Sequence, residues 1–501
     1  MKYNIRSTVF MPCDTKLSKR QPGRCLAFGF IYVKGNGDDK AMTNRKGTAV
    51  IRSMKILHFL LTILLFAVGC RLFYSNIFIG DEVTIRYGTA VLIYFVILLF
   101  CVRTYSAYNV GSAKKWVLIL SQTLACAVSA CIMYLLVLIN QRELIDPLPM
   151  VGVIALQLVL NFIWSYCTDF LFFRLQKTRK AVLIYRNSSD LRRMNEVKEY
   201  KHRFEVIGEI IDPPDDLDYV AERLAGAEDV FVSGVNATLR NGILKYCVEQ
   251  GICCYVVPHV GDVIMMGSRR MELFSAPFFR VMRAEPNIEY MIIKRFMDIV
   301  LSVIFIILLS PVMLITALAI KIYDRGPVLY KQVRLTKDGK TFRILKFRSM
   351  RVNAEEDGVA RMATENDSRI TPVGKVIRAC RVDELPQLFN ILRGDMSIVG
   401  PRPERPEIAK QYEEYMPSFA LRLQVKAGLT GLAQIYGRYN TDPNDKLKMD
   451  LMYINQMSLM QDIRLIFATV KVLFMKDSTR GVAEGQKTAV ANEEEKKYIY
   501  K

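Results

Sequence analysis

The sequence predicts a membrane protein of α/β class. It should hold four transmembrane helices, a degenerate Rossmann-like α/β domain, a re-entrant membrane helix hairpin and a small cytoplasmic α/β domain that carries the chemistry. Three observations support this. Hydrophobic residues make up 51% and charged residues 24% of 501, too apolar for a disordered chain and too charged for one embedded throughout. Several apolar runs approach the roughly 20 residues that cross a bilayer. Lys and Arg number 69 against 49 Asp and Glu, a net charge of +20, and basic residues gather at the ends of those runs. Such a balance suits nucleic acid or an anionic membrane surface, and the apolar runs select the membrane.

Residues 1–53 are basic, polar and broken by Gly (KLSKRQPGRC, KGNGDDK), without the regions of a signal peptide, and are expected to form a disordered arm. Met54 stands directly before an apolar run, so a translation start there is a second expectation. Four apolar segments follow within 54–174: Met54 to Tyr74, Tyr87 to Val102, Trp116 to Ile139 and Met150 to Phe173. Arg52 and Lys55 flank the first, Arg103, Lys114 and Lys115 separate the second from the third, and Arg174 and Lys177 follow the fourth. The positive-inside rule then puts both ends of the bundle in the cytoplasm. Five of the 11 cysteines fall in these runs and no CxxC pair occurs, which reads as reduced, buried thiols.

Over 180–258 the apolar runs shorten to AVLIY, FEVIGEII, DVFVSGV and CCYVVP, separated by helical patterns, as in a small parallel α/β domain. A dinucleotide site needs GxGxxG after the first strand, so that backbone N–H groups can approach a pyrophosphate. YRNSSDL stands there instead, and the domain is read as structural or regulatory.

The run 299–320 is long enough to span, yet Ser310 and Pro311 sit at its centre and both flanks are basic (Lys294, Arg295; Lys321, Arg325). Proline removes a backbone donor and crowds the preceding turn, so a break is expected there. A helix-break-helix hairpin entering and leaving one leaflet satisfies both features, with the Ser310 hydroxyl a candidate partner for the freed backbone.

The domain 286–480 holds the charged motifs, with 481–501 a tail; from Lys294 to Arg480 there are 30 basic and 20 acidic residues. LYKQVRLTKDGKTFRILKFRSM suggests a β-hairpin around KDGK, with Lys346 and Arg348 at alternate positions on one face. In IRACRVDELPQLFNILRGDMSIVGPRPE, Pro386 suits the first turn of a helix that stops at Gly394, placing Asp383 and Glu384 at its N-terminus. Two adjacent carboxylates near Arg378, Arg381 and Arg402 could serve as nucleophile, metal ligand or general base. A bare Asp-Glu pair is also common as a helix cap. The surrounding constellation is stronger: Arg402 is held between prolines, and KAGLTGLAQIYGR has glycines for close ligand approach and ends in Arg438, another candidate phosphate clamp. Of three histidines none follows His259, so chemistry here must use carboxylates, Lys, Tyr or Cys380.

These motifs resemble the bacterial polyprenyl-phosphate sugar-1-phosphate transferases, the monotopic phosphoglycosyl transferases. The matching pieces are KRFMDIVLS, the SP of the membrane segment, GPVLYKQVR, LKFRSM, VDELPQLFNILRGDMSIVGPRPE, KAGLTGLAQIYGR and QDIRLI. The upstream bundle and α/β domain resemble the long subgroup that starts exopolysaccharide, capsule or O-antigen assembly. Leu432 departs from the family, which usually has Trp there. The resemblance implies that Asp383 attacks a UDP-sugar, giving an aspartyl-phosphosugar and UMP, and that undecaprenyl phosphate then accepts the phosphosugar. It further implies Mg²⁺, with Asp383 as its candidate ligand, and Glu384 as general base or partner. Phosphate contacts are expected from Lys346, Arg348, Arg378, Arg381, Arg402 and Arg438, with Asp462 in support. The expected setting is the bacterial inner membrane, with a homodimer favoured by the same resemblance. A membrane-bound nucleotide-sugar oxidoreductase is the alternative enzyme, and a scaffold or transporter the alternative class.

Overall fold

Long apolar runs almost free of charge fold the first third of the chain into four helices: α1 (Arg45–Phe73), α2 (Val83–Thr104), α3 (Lys115–Gln141) and α4 (Leu148–Leu175). This computed structural model describes residues 45–74, 83–111, 113–175, 177–186, 188–200, 203–352, 367–437 and 441–473. α1 packs on α4, α4 on α3 and α3 on α2, closing a bundle. Outward residues such as Leu60, Leu64, Val159 and Phe162 are exposed, as a lipid-facing surface requires. Polar residues turn inward and pair: both ring nitrogens of buried His58 are engaged, by Tyr108 Oη at 2.8 Å and Asn161 Oδ1 at 3.0 Å. The Gln157 amide donates to the Thr62 carbonyl at 3.0 Å. Most of the expected disordered arm lies outside the described residues. Its last part is helical, because Ile51 buries against the bundle and Trp164 Nε1 donates to the Met54 carbonyl one turn later.

Four parallel strands then form one sheet: β1 (Arg179–Tyr185), β2 (Phe204–Ile211), β3 (Asp229–Val232) and β4 (Cys253–Val256), in the order β2-β1-β3-β4. Helices α5 (Ser188–Glu199), α6 (Leu217–Arg223), α7 (Ala237–Gln250) and α8 (Val260–Met266) complete it. In such sheets a ligand binds where the strand order reverses, here beyond the ends of β1 and β3. Asp190 occupies that place. Ser233 Oγ donates to its Oδ1 at 2.6 Å, and a Cβ on Gly234, whose φ is +68°, would lie 2.0 Å from its Oδ2. A carboxylate sits where a pyrophosphate would need to enter, so the oxidoreductase alternative has no support. A hairpin that the sequence reading did not anticipate follows, β5 (Arg269–Leu273) and β6 (Ala276–Arg280), turning through Phe274 and Ser275, both at positive φ.

The segment expected to break is one continuous helix, α9 (Ile288–Asp324), with Pro311 inside it. Pro311 lacks the N–H that would bond the Ile307 carbonyl, and Ser310 Oγ donates to that carbonyl at 2.8 Å. The replacement donor lets the helix pass through the proline. Both ends of α9 are tied to the α/β domain that follows. Arg295 donates to the carbonyls of Ile391 and Leu392 at 2.6 and 2.7 Å, Asp298 accepts from Ile398 N, and Asp324 pairs with Arg348. Between these anchors Ile307, Leu308, Leu314 and Ile315 stand exposed.

That domain starts with the antiparallel pair β7 (Leu329–Leu335) and β8 (Thr341–Phe347), turning at Lys337–Gly339 around KDGK. α10 (Pro372–Ala379), α11 (Gln387–Arg393), β9 (Ser397–Val399), α12 (Pro406–Tyr415), β10 (Gly428–Thr430), α13 (Leu432–Tyr436), α14 (Pro443–Asn455) and α15 (Leu459–Leu473) follow. β9 and β10 are parallel and very close: a Cβ on Gly428 would lie 2.1 Å from Gly400 N, so only glycine fits. The core gathers Leu388, Ile391, Met396, Phe419, Leu447 and Leu451.

α15 docks this domain on the bundle through a Phe467–Phe100 edge contact and a Lys471 Nζ bond to the Tyr105 carbonyl. α14 docks it on the Rossmann-like domain. Asn455 Nδ2 donates to the Val263 carbonyl at 2.7 Å, and Arg193 Nε donates to Asp445 Oδ2 at 3.1 Å while its NH1 holds Asp190. Arg193→Ala should lower stability by about 1–2 kcal/mol, the cost of a partly buried pair discounted for solvent. It should also speed limited proteolysis of the Rossmann-like domain. Unchanged Tm and digestion rate would show that this clamp holds nothing.

Candidate active site

The site begins with how β8 and α11 are locked in register. Asn390, fully buried on α11, accepts from Leu345 N at 2.9 Å and donates to the Arg343 carbonyl at 2.9 Å. One side-chain amide thus takes the place of a backbone partner along β8, and Lys346 is set opposite the start of α11. There the chain forms a single 3₁₀ turn, Val382–Glu384, entered through Arg381 at φ 58°. A non-glycine residue in that left-handed conformation costs roughly 1–2 kcal/mol, and here it stands directly beside the acid pair.

Glu384 is ringed by cations from three elements. Its Oε1 lies 2.9 Å from Arg402, 3.6 Å from Lys346 and 3.7 Å from Arg381. Burial works to raise this carboxyl, but Arg402, Lys346 and Arg381 together hold it well below the ordinary range. Asp383 has the opposite fate. It accepts no hydrogen bond from a described residue, and burial followed by the adjacent Glu384 charge pushes it up to about 6, against the pull of Lys346, Arg378 and Arg381. Two neighbouring carboxylates are therefore driven apart in proton affinity, the pattern expected of a pair with separate tasks.

Arg402 reaches Glu384 from a segment with little freedom. Prolines at 401 and 403 carry no backbone donor, and the carbonyls around them are claimed from outside: Pro401 by Gly428 N, Pro403 by Arg334 and Glu404 by Leu335 N. Beside Lys346 and Arg402 lies an open pocket of about 230 Å³, lined also by Arg334, Gln387, Gly428 and Gln434. Arg334 is a feature the sequence reading missed, although its place on a strand paired with β8 was visible.

The structure thus brings together Asp383, Glu384, Lys346, Arg381 and Arg402, with Arg378 close enough to act on Asp383. It places two expected residues elsewhere. Arg348 does not share a substrate face with Lys346: β8 ends at Phe347, and the buried Arg348 pairs with Asp324 at the end of α9. Asp462 is wholly buried, and its oxygens are taken by Tyr290 at 2.8 Å, Lys294 at 2.8 Å and Tyr453 at 2.8 Å. It fastens α9, α14 and α15 together rather than meeting a ligand. Ser310 and Pro311 lie mid-way along α9, and Arg438 lies outside the described residues.

No group of three or more His, Cys, Asp or Glu side chains that could hold a metal ion occurs among the described residues. Mg²⁺ bound to a diphosphate keeps most of its ligands from phosphate and water and needs one or two carboxylates from protein. Asp383, which accepts no hydrogen bond from a described residue, fits that demand; Glu384 Oε1 is already committed.

Carbodiimides react with protonated carboxyls, so the two acids should label differently in metal-free protein. Labelling of Asp383, mapped by mass spectrometry, should fall as pH rises through about 6. Glu384, held ionised, should stay unlabelled throughout that range. Equal labelling of both would contradict the split.

Comparison with other proteins places these residues in a family. Residues 289–476 match the family model for bacterial sugar transferases. A UDP-glucose:undecaprenyl-phosphate glucose-1-phosphate transferase of Klebsiella pneumoniae is 41% identical over 227 residues, 44% of this chain and 49% of that protein. A UDP-N-acetylgalactosamine-undecaprenyl-phosphate N-acetylgalactosaminephosphotransferase of Aeromonas hydrophila is 45% identical over 191 residues, 38% of this chain and 45% of that one. The chain spans about half the length of these two curated relatives. It covers 74% of a third, a UDP-glucose:undecaprenyl-phosphate glucose-1-phosphate transferase of Caulobacter vibrioides, at 39% identity over 198 residues, or 38% of this chain. With the acid pair, its cation ring and the proline-held arginine all inside the matched region, the chain belongs to the bacterial sugar transferase family.

Proposed function

We propose that this protein transfers a sugar 1-phosphate from a UDP-sugar to undecaprenyl phosphate, forming the lipid-linked diphosphosugar that starts exopolysaccharide, capsule or O-antigen synthesis. The observation that carries this reading is the unclaimed Asp383 carboxylate beside a Glu384 fixed by three cations. The names of the relatives, each a transferase acting on undecaprenyl phosphate, support it.

The reaction proceeds by two displacements. An Asp383 oxygen attacks the β-phosphorus of the UDP-sugar, the bond from that phosphorus to the bridging oxygen breaks, and UMP leaves with the electron pair. An oxygen of undecaprenyl phosphate then attacks the same phosphorus, and the aspartyl oxygen departs as carboxylate. Splitting the transfer lets one site serve first a soluble and then a lipid substrate. Lys346, Arg381 and Arg402 keep Glu384 ionised and offer their remaining donors to phosphate oxygens. Mg²⁺, when bound at Asp383, would offset the charge of the diphosphate.

The membrane setting follows from α9. Its two ends are fastened to the same domain while its middle exposes apolar side chains, so we place both ends on one side of the membrane and the middle within one leaflet. Basic flanks support the cytoplasmic side of the inner membrane for both ends, where UDP-sugars are met.

A radiolabel transfer assay over a panel of UDP-sugars with undecaprenyl phosphate tests the reading. Asp383→Asn should abolish turnover, since a neutral amide is a poor nucleophile. Glu384→Gln should lose about 10²–10³-fold in kcat. Rapid-quench peptide mapping should find phosphosugar on Asp383; a ternary-complex mechanism without that adduct rules the scheme out. For the membrane helix, single cysteines replacing Glu289 and Arg325 should both react with an impermeant thiol reagent from the cytoplasmic side. Reaction from opposite sides would make α9 a spanning helix.

A further inference from the structure

Arg402 is the cation nearest Glu384, and its own support lies outside the site. Its carbonyl is the one member of the 401–404 run not yet accounted for, and it accepts from Arg422 NH2 at 2.9 Å. Arg422 is buried and held on three sides. Asp450, buried on α14, lies 2.7 Å from the same NH2, a charge contact without hydrogen-bond alignment. Glu404 Oε2 stands 4.0 Å from NH1. The guanidinium also lies over the buried Phe419 ring, 4.8 Å from its centroid.

The backbone geometry explains why that one contact matters. A residue preceding proline is already restricted to extended conformations, and Pro401 fixes the chain on the other side. What remains free at Arg402 is chiefly the rotation that turns its carbonyl, and with it the direction of Cα–Cβ. Fixing the carbonyl fixes the direction in which the side chain leaves the backbone.

We propose that Arg422, braced by Asp450, is a positioning residue for the transfer reaction: it aims Arg402 at Glu384 by holding the Arg402 carbonyl. Neither residue needs to touch substrate. Lysine cannot replace Arg422, because a single ammonium cannot hold the Asp450 carboxylate and the Arg402 carbonyl with one nitrogen while a second faces Glu404 and the group lies over Phe419. The inference rests on the proposed transferase reading, and its test separates the two.

The full chain in nanodiscs is assayed as wild type, Arg422→Lys, Arg402→Ala and the double variant. Arg422→Lys should lower kcat about tenfold with a smaller rise in KM for the UDP-sugar, because mis-aiming Arg402 disturbs Glu384 and weakens a phosphate contact without removing it. In the Arg402→Ala background the same substitution should have almost no further effect, since the residue it aims is gone. Additive losses, or an unimpaired Arg422→Lys, overturn the proposal. If Arg422→Lys does not fold, Asp450→Asn takes its place in the cycle with the same expected outcomes. Absence of transfer by wild type with every UDP-sugar would count against the function alone. The positioning claim is then decided by phenylglyoxal labelling of Arg402, which should rise in Arg422→Lys; unchanged labelling overturns it.

Discussion

The chemistry of this protein depends on one electrostatic constraint: Lys346, Arg381 and Arg402 converge on Glu384 and hold its carboxyl well below the ordinary range. With Glu384 favoured in its charged form, its neighbour bears the cost. Asp383 feels both burial and an adjacent negative charge, which raises its proton affinity and with it the basicity of its free oxygens. A carboxylate in water is a weak nucleophile because it is well solvated and weakly basic. The same group, half-withdrawn from water and beside a fixed charge, is better suited to the proposed attack on phosphorus, and the surrounding cations suit a phosphate group.

No single element could build that ring. Lys346 comes from β8, Arg381 from the strained entry to the acid turn, and Arg402 from the proline-bounded segment after β9. Their convergence requires three alignments, each held by buried polar or steric contacts rather than by apolar packing. Asn390 sets β8 against α11, the Gly400–Gly428 approach sets β9 against β10, and external donors capture the carbonyls of 401–404. Apolar burial alone would tolerate sliding by a fraction of an ångström; a hydrogen bond or a backbone in contact with backbone does not.

Much of this was legible in the sequence, and what was not has a common cause. The four helices, the parallel strands, the KDGK hairpin and the acid pair just ahead of a helix are written in local periodicity and turn chemistry. Residues whose task is set by a distant partner were misplaced. Arg348 goes to Asp324, and Asp462 goes to Lys294 across 168 positions, contacts that no spacing rule reaches. The clamp between Arg193 and Asp445 joins residues 252 apart. Pro311 misled for a different reason: the Ser310 hydroxyl was expected to serve the freed backbone, as it does, yet a break was expected as well, and the helix runs on through the proline. The start of α1 at Arg45 was hidden because composition favoured an arm, while contact with α4 favours a helix.

The Rossmann-like domain satisfies the end of its central strands with its own side chains. Asp190 supplies the negative charge that a bound phosphate would have brought to the end of β1, so the first turn of α5 remains electrostatically satisfied without a nucleotide. Arg193, which answers that charge, extends to Asp445 and converts an internal contact into a joint between domains. The helix on the far side of the joint faces two ways. α14 offers Asp445 and Asn455 to the Rossmann-like domain, and Asp450 and Tyr453 to the interior of the transferase domain. Through these contacts the Rossmann-like domain meets α14, and α14 carries the carboxylate that braces Arg422. The joint thus couples the second domain to one helix of the transferase domain.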